Sequence, residues 1–440
     1  MNAIVIRGVL VGALAGLLFG FDTAVIAGVT GQLRDTYQLS PAWLGFTVSS
    51  ALWGTLAGAI LAGVPGNRYG ARDGLKAIGM LYVVSSAGCA LAWNWQALVV
   101  FRIFAGLAIG ASTVLAPVYM TEIAPPRWRG AMVGMFQFNI TFGILVAYLS
   151  NYLIGTLHLG TDEWRWKFSI AFWPGAVLFA MLFTIPNSPR WLALKGRQDE
   201  ARTIFRRIAP EASAREEEAA LHPVPISGTD WRANWAKYRK PILLAFAIAA
   251  FNQLAGINAI LYYINDIFAA AGFSKTSSDL QSVMIGATNL LFTIPALYLI
   301  DRAGRKALLL IGSVGLFITL AGTAEIMLTG QHQGLLLWML IGFIAAFAFS
   351  QGAVIWVYIA EIFPTEVRAL GQSLGTSTHW GMDAIIVTYF PVVAAYSKGA
   401  PFLFFAAMVL LQFIVVLFFF PETKRAPLED ISAIVSAPPA

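Results

Sequence analysis

One cysteine, Cys89, stands in 440 residues. That excludes a disulfide framework and a cysteine metal cluster. Charge is scarce as well: Asp, Glu, Lys and Arg make up 12% of the chain, against 58% hydrophobic residues and a mean hydropathy of +0.70. A water-soluble domain of this size does not cover its surface with so few ions. The N-terminus lacks a small-residue cleavage site after a short apolar region, so its first apolar stretch is expected to stay as a membrane span. No nucleophile–base set and no metal-ligand cluster falls in any apolar segment. An enzyme is therefore not expected, nor a cofactor or a metal.

What the chain has in abundance is long apolar runs, each near the roughly 20 residues that cross a bilayer. Twelve are expected, at about 7–29, 42–65, 74–94, 96–121, 131–155, 167–186, 240–270, 280–300, 307–328, 335–360, 370–394 and 401–420. They must be helical, because a backbone in hydrocarbon needs its hydrogen-bond partners within the segment. The expectation is an all-α membrane protein with a first six-helix bundle at 1–187, a charged linker with short helices at 188–239, a second bundle at 240–420 and a tail at 421–440.

Lys and Arg orient it. With both termini in the cytoplasm, the inner side carries 23 of the 29 basic residues and the outer side five. This asymmetry obeys the positive-inside rule and predicts a multi-pass protein of the cell (inner) membrane. It also accounts for the net charge of +6, so no nucleic-acid partner is implied. A monomer is expected.

The sequence repeats itself. NRYG at 67–70 matches DRAG at 301–304, EIAP at 122–125 matches EIFP at 361–364, and PNSPR at 186–190 matches PETKR at 421–425. The offsets are 234, 239 and 235 residues. In both copies an Arg follows the Glu by seven residues, Arg129 and Arg368. Three ordered matches at one spacing mean two homologous six-span halves, a recurring plan for transporters with a site at the interface of the repeats.

These motifs, together with GFD at 20–22, RIFAGLAIG at 102–110 and NQLAGINAILYY at 252–263, resemble the sugar porter family of the major facilitator superfamily from residue 17 to 425. Asn67 stands where that family commonly has Asp, Ala71 replaces a basic residue, Asn187 replaces the Glu of PESPR, and Asn252 stands where many members have Gln. The first loop motif is thus weaker than the second. The resemblance implies a major facilitator fold and a monosaccharide, hexose or pentose, as substrate.

Asp22 is the only charge between Arg7 and Arg34, and an ionisable group in a span is a functional candidate. At about 1.5 Å per residue it lies roughly 22 Å from the inner face, or about 8 Å from the outer face of a 30 Å core. Arg102, read as the only basic residue buried in a span, lies roughly 9 Å from the outer face by the same reckoning. Burial favours the neutral form of a lone carboxyl, while a nearby guanidinium favours the charged form. Separating the two would load a proton onto Asp22. The alternative is a static ion pair holding two helices together. The resemblance favours coupling, because an Asp at this place in the GFD motif goes with proton symport.

A sugar presents hydroxyls and apolar ring faces. It suits amides, which donate and accept together, and an aromatic plate. Gln137 in the fifth span, Asn252, Gln253, Asn258 and Tyr262 around Gly256 in the seventh, and Asn289 in the eighth fit that need. Gln253 and Asn258 diverge on an ideal helix, and local unwinding at Gly256 would bring them together. By resemblance, Gln137, Gln253, Asn258, Tyr262, Asn289, Trp356 and Trp380 fall on sugar-contact positions, and Asn252 falls on one with a changed residue. Each amide alone could instead bond a neighbouring helix, and both Trp residues could be packing plates. His379 and Asp383, four apart, can touch. His379 could bond a hydroxyl, titrate near neutral pH, or bond another helix.

Arg68, Arg72, Glu122, Arg129, Arg302, Arg305, Glu361 and Arg368 all fall at inner span ends. The positive-inside rule needs no Glu there. Salt bridges forming an inner gate are therefore expected, individually weak and suited to opening. The combined reading is a proton-coupled sugar symporter working by alternating access. Its competitors are a facilitative uniporter of the same fold, an exporter of apolar or cationic compounds, and a sugar sensor that does not transport.

Overall fold

The computed structural model describes residues 3–124, 129–210, 217, 221, 235–363 and 367–424. Among these residues the regular structure is entirely helical. Among the described residues nine helices are long and apolar enough to cross a membrane. The other three expected spans are helical too, each with a reason for falling short. Helix Ala71–Ala90 opens on Arg72, Asp73 and Lys76. The sixth span is divided into Glu163–Ser169 and Phe172–Met181. Helix Arg368–Tyr396 carries a polar stretch, SLGTSTHWGMD, through its middle.

Contacts divide the chain into two compact units, Met1–Ile26 with Ser50–Pro225, and Ala27–Ser49 with Ile226–Ala440. In the first, helix Ala3–Val25 packs on Arg129–Gly155, and Ala71–Ala90 packs on both pieces of the sixth span. In the second, Trp235–Leu254 packs on Arg368–Tyr396, and Arg305–Thr329 on Ala400–Phe419. First pairs with fifth and third with sixth in one unit; seventh pairs with eleventh and ninth with twelfth in the other. The duplicated motifs thus sit on a duplicated packing scheme.

Small residues set the closest approaches. A Cβ on Gly106 would strike the carbonyl of Ala51, and one on Gly54 the carbonyl of Ile103. GTLAG at 54–58 and GLAIG at 106–110 therefore bring two backbones into contact, as small residues four apart do where lipid offers no hydrophobic drive for association. In the stretch expected as a linker, Pro189–Leu194 and Gln198–Ile208 are helices whose Leu192, Ala193, Ala201, Ile204 and Ile208 join the first unit's core. The remainder of that stretch and the tail from 425 onward lie largely outside the described residues.

Candidate functional site

Asp22 meets Arg102. Arg102 Nη1 donates to both carboxylate oxygens at 3.2 Å, and the side chains are 16% and 1% exposed. The guanidinium also lies 5.8 Å from the centre of the Phe168 ring. The close approach that places Asp22 is again glycine-built: Gly20 abuts the carbonyl of Ile140, and Gly143 that of Leu17.

Arg102 is not the only buried base. Lys167, expected at the outer membrane surface, is fully buried and bonded to Glu163 at 2.8 Å. Packing of the short helix Glu163–Ser169 against Ala71–Ala90 draws it inward. The i, i+4 spacing in EWRWK was the available signal. The first unit thus holds two buried ion pairs, Asp22–Arg102 and Glu163–Lys167.

The amides of the second unit converge as a chain. The seventh span breaks after Leu254 and resumes at Ile257, with Gly256 at φ +84° between them. A Cβ there would also strike the Phe405 ring. The break folds Asn258 back on Gln253: Asn258 Nδ2 donates to Gln253 Oε1 at 3.3 Å and to Asp383 Oδ2 at 2.7 Å. Gln253 Nε2 in turn donates to Asn252 Oδ1 at 3.2 Å and lies 3.1 and 3.2 Å from the two ring nitrogens of His379. His379 is flanked by Trp356 and Trp380, with ring centres 5.1 and 4.9 Å away. His379 and Asp383 thus engage different residues of the seventh span, Gln253 and Asn258, and no bond joins the two. Tyr262, on the helix that follows the break, and Asn289, on the eighth span, are both buried. Gln137 belongs to the first unit, half-buried on helix Arg129–Gly155.

At the motif ends the second unit is tightly bonded. Arg305 donates to Glu361 at 2.7 and 3.0 Å and to the carbonyl of Ile300 at 2.9 Å. Thr423 donates to Glu361 at 2.6 Å. Glu422 accepts the backbone N–H groups of Arg305 and Lys306 at 2.9 and 3.0 Å, so an anion sits on the N-terminus of helix Arg305–Thr329. Sequence reasoning missed Glu422 and Thr423. The PETK motif holds them, but their partners lie more than sixty residues away.

The first unit repeats the frame with different chemistry. Gly70 and Gly304 begin their helices at φ +89° and +94°. Tyr119 donates to the carbonyl of Pro186 at 2.9 Å, as Tyr358 does to that of Pro421 at 3.2 Å. Yet Ala71 occupies the place of Arg305, and Asn187 that of Glu422. Glu122 turns to the Ser188 hydroxyl and the charge of Arg190. Arg72 pairs with its neighbour Asp73 at 2.9 Å, and Lys76 with the same Asp73 at 3.0 Å. Burial pushes the Asp73 carboxyl up, but the two cations hold it below the ordinary carboxylate range. Arg68 and Arg302 are exposed. The side chains of Arg129 and Arg368 lie outside the described residues.

At its other end the second unit carries a cluster that the sequence did not flag: Asp266 accepts from Thr30 and Arg34, each at 2.6 Å.

Residues 8–435 match the family model described as sugar (and other) transporter. The chain is 35% identical to the arabinose–proton symporter of Bacillus subtilis, over 96% of its own length and 93% of that protein's. It is 32% identical to the D-xylose–proton symporter of Escherichia coli, over 97% and 94%. Its structure resembles that of the E. coli xylose transporter XylE in a partially occluded inward-open conformation, with a TM-score of 0.85 and 30% identity over 97% of this chain and all of that one. Family model, relatives and fold agree. The chain belongs to the sugar porter family of the major facilitator superfamily: a multi-pass membrane protein of twelve spans in two homologous halves, a transporter and not an enzyme.

Proposed function

We propose that the protein imports a monosaccharide, hexose or pentose, together with protons by alternating access, with both termini in the cytoplasm. The Asp22–Arg102 pair carries this reading. A carboxylate at 16% exposure on an apolar helix, held by a guanidinium at 1%, is costly to bury. A proton can take the place of the guanidinium when a conformational change parts the two. Relatives named as arabinose–, xylose– and galactose–proton symporters support the substrate class and the coupling. The sugar is bound through the amides of the seventh span, with His379, Trp356 and Trp380 beside them and Gln137, Tyr262 and Asn289 as further contacts. Arg305, Glu361 and the basic residues at the other motif ends act in the inner gate.

The test is uptake of radiolabelled hexoses and pentoses by proteoliposomes, with and without an imposed proton gradient. The protein should accumulate one of them only with the gradient. Asp22→Asn should abolish accumulation and spare sugar exchange. Accumulation that survives Asp22→Asn would sink the coupling role and leave the pair as a static helix clamp.

A further inference from the structure

The seventh and eleventh spans hold a buried carboxylate that the coupling scheme does not use. Asp383 is fully buried. Its Oδ2 takes the Asn258 Nδ2–H at 2.7 Å, and its Oδ1 has no hydrogen-bond partner among the described residues. No Lys or Arg forms an ion pair with it among the described residues. Carboxyl groups at membrane depth are retained for function rather than for stability.

What Asp383 does follows from the direction of the bonds. An amide can present either its oxygen or its nitrogen to a neighbour, so a chain of amides alone has two nearly equivalent polarities. A carboxyl oxygen removes that freedom. Oδ2 accepts whether or not Oδ1 carries a proton, so Asn258 must turn its NH₂ toward it. Both Asn258 donors are then used, on Asp383 Oδ2 and Gln253 Oε1. With its oxygen occupied, Gln253 sends both of its donors onward, toward Asn252 and His379. Two groups remain for a polyol: the Asn258 oxygen as an acceptor and the Asn252 NH₂ as a donor.

We propose that Asp383 is a positioning residue that fixes the hydrogen-bond polarity of the Asn258–Gln253–Asn252 chain, so that the sugar site offers one set acceptor and one set donor to neighbouring hydroxyls. This rests on the reading of those amides as the sugar site. It assigns a specificity role to a residue that need not touch the sugar. Preorganised polarity is worth affinity because a site free to flip must order its amides when the sugar binds.

The experiment measures equilibrium binding to the purified full-length protein, using whichever of radiolabelled xylose, arabinose, galactose and glucose binds it best. Asp383→Asn, which keeps the shape but restores the freedom to flip, should weaken binding about three- to tenfold. Asp383→Leu, which cannot accept at all, should weaken it more than tenfold. In exchange assays the KM should rise with Vmax within twofold. In an Asn258→Ala background neither change should cost anything further, because the amide they orient is gone. Equal losses in both backgrounds, or no loss in either, would overturn the positioning role. If Asn258→Ala itself leaves binding unchanged, the sugar-site reading fails instead, and the two failures are told apart.

Discussion

The two halves share a backbone and differ in where they keep their charge. In the first unit the ions lie within the spans, as Asp22–Arg102 and Glu163–Lys167. Its motif corner lacks the buried pair, with Ala71 and Asn187 at the decisive places. In the second unit the corner holds Arg305, Glu361, Thr423 and Glu422 in one network, and amides gather beside the Asp383 carboxyl at the break in the seventh span. Duplication fixed what the backbone requires: a glycine at positive φ opening the third and ninth spans, and the pairing of first with fifth and seventh with eleventh. Substitution then divided the work. The half that handles charge in the membrane has the lighter corner, and the half that presents amides has the heavier one.

The comparison can be broken first at its strongest point. Glu361→Ala removes the carboxylate that faces the nearly buried Arg305 guanidinium and should cost about 3 kcal/mol of stability, with lowered turnover. The equivalent Glu122→Ala faces no Arg at position 71 and should cost only about 1 kcal/mol. Thermal unfolding of the two variants in detergent checks the ratio, and equal losses would mean that the halves do not differ as described.

Gly256→Ala attacks the difference between an unbroken first span and a broken seventh. The Cβ meets Phe405, and the left-handed backbone alone costs about 1–2 kcal/mol. Sugar binding should fall about tenfold as Asn258 swings off Gln253. Unchanged binding would show that the break is not what assembles the amides.

Asn187→Glu copies Glu422 into the first corner. An anion at the N-terminus of helix Ala71–Ala90 should raise stability by roughly 0.5–1 kcal/mol, visible as a higher midpoint. A fall would show that the corner backbones differ more than their torsions suggest.

The smallest effect belongs to Asp73, a first-half feature whose counterpart by offset is Ala307. Because its carboxyl is held below the ordinary range, the pairing with Arg72 and Lys76 contributes above the unfolded carboxylate range and fades as pH falls through the folded value. Asp73→Asn should therefore lower the unfolding midpoint slightly at neutral pH and leave it unchanged in strong acid. A difference that grows on acidification would contradict the pairing.

Twelve spans and two halves were legible in the chain because hydropathy and a constant repeat offset are local or periodic signals. Matched depth was enough to bring Asp22 and Arg102 together on paper. The same counting failed for Lys167, which stands at a span boundary where composition cannot tell a snorkelling base from a buried one. For Asp383 the four-residue spacing allowed a contact with His379, but the break in the seventh span supplied Asn258 instead.

By itself, then, the sequence determined which segments enter the membrane, that they come as a duplicated set, and which rare polar residues cannot be there for lipid. Backbone saturation in hydrocarbon and the cost of burying charge leave few other options. The tertiary structure alone decided who bonds to whom across spans: Arg305 to Glu361, Glu422 to a helix end 117 residues before it, and Asn258 to Asp383. Those contacts depend on glycine-set approach distances and on a left-handed break at Gly256, and no spacing along the chain encodes the direction in which an amide points.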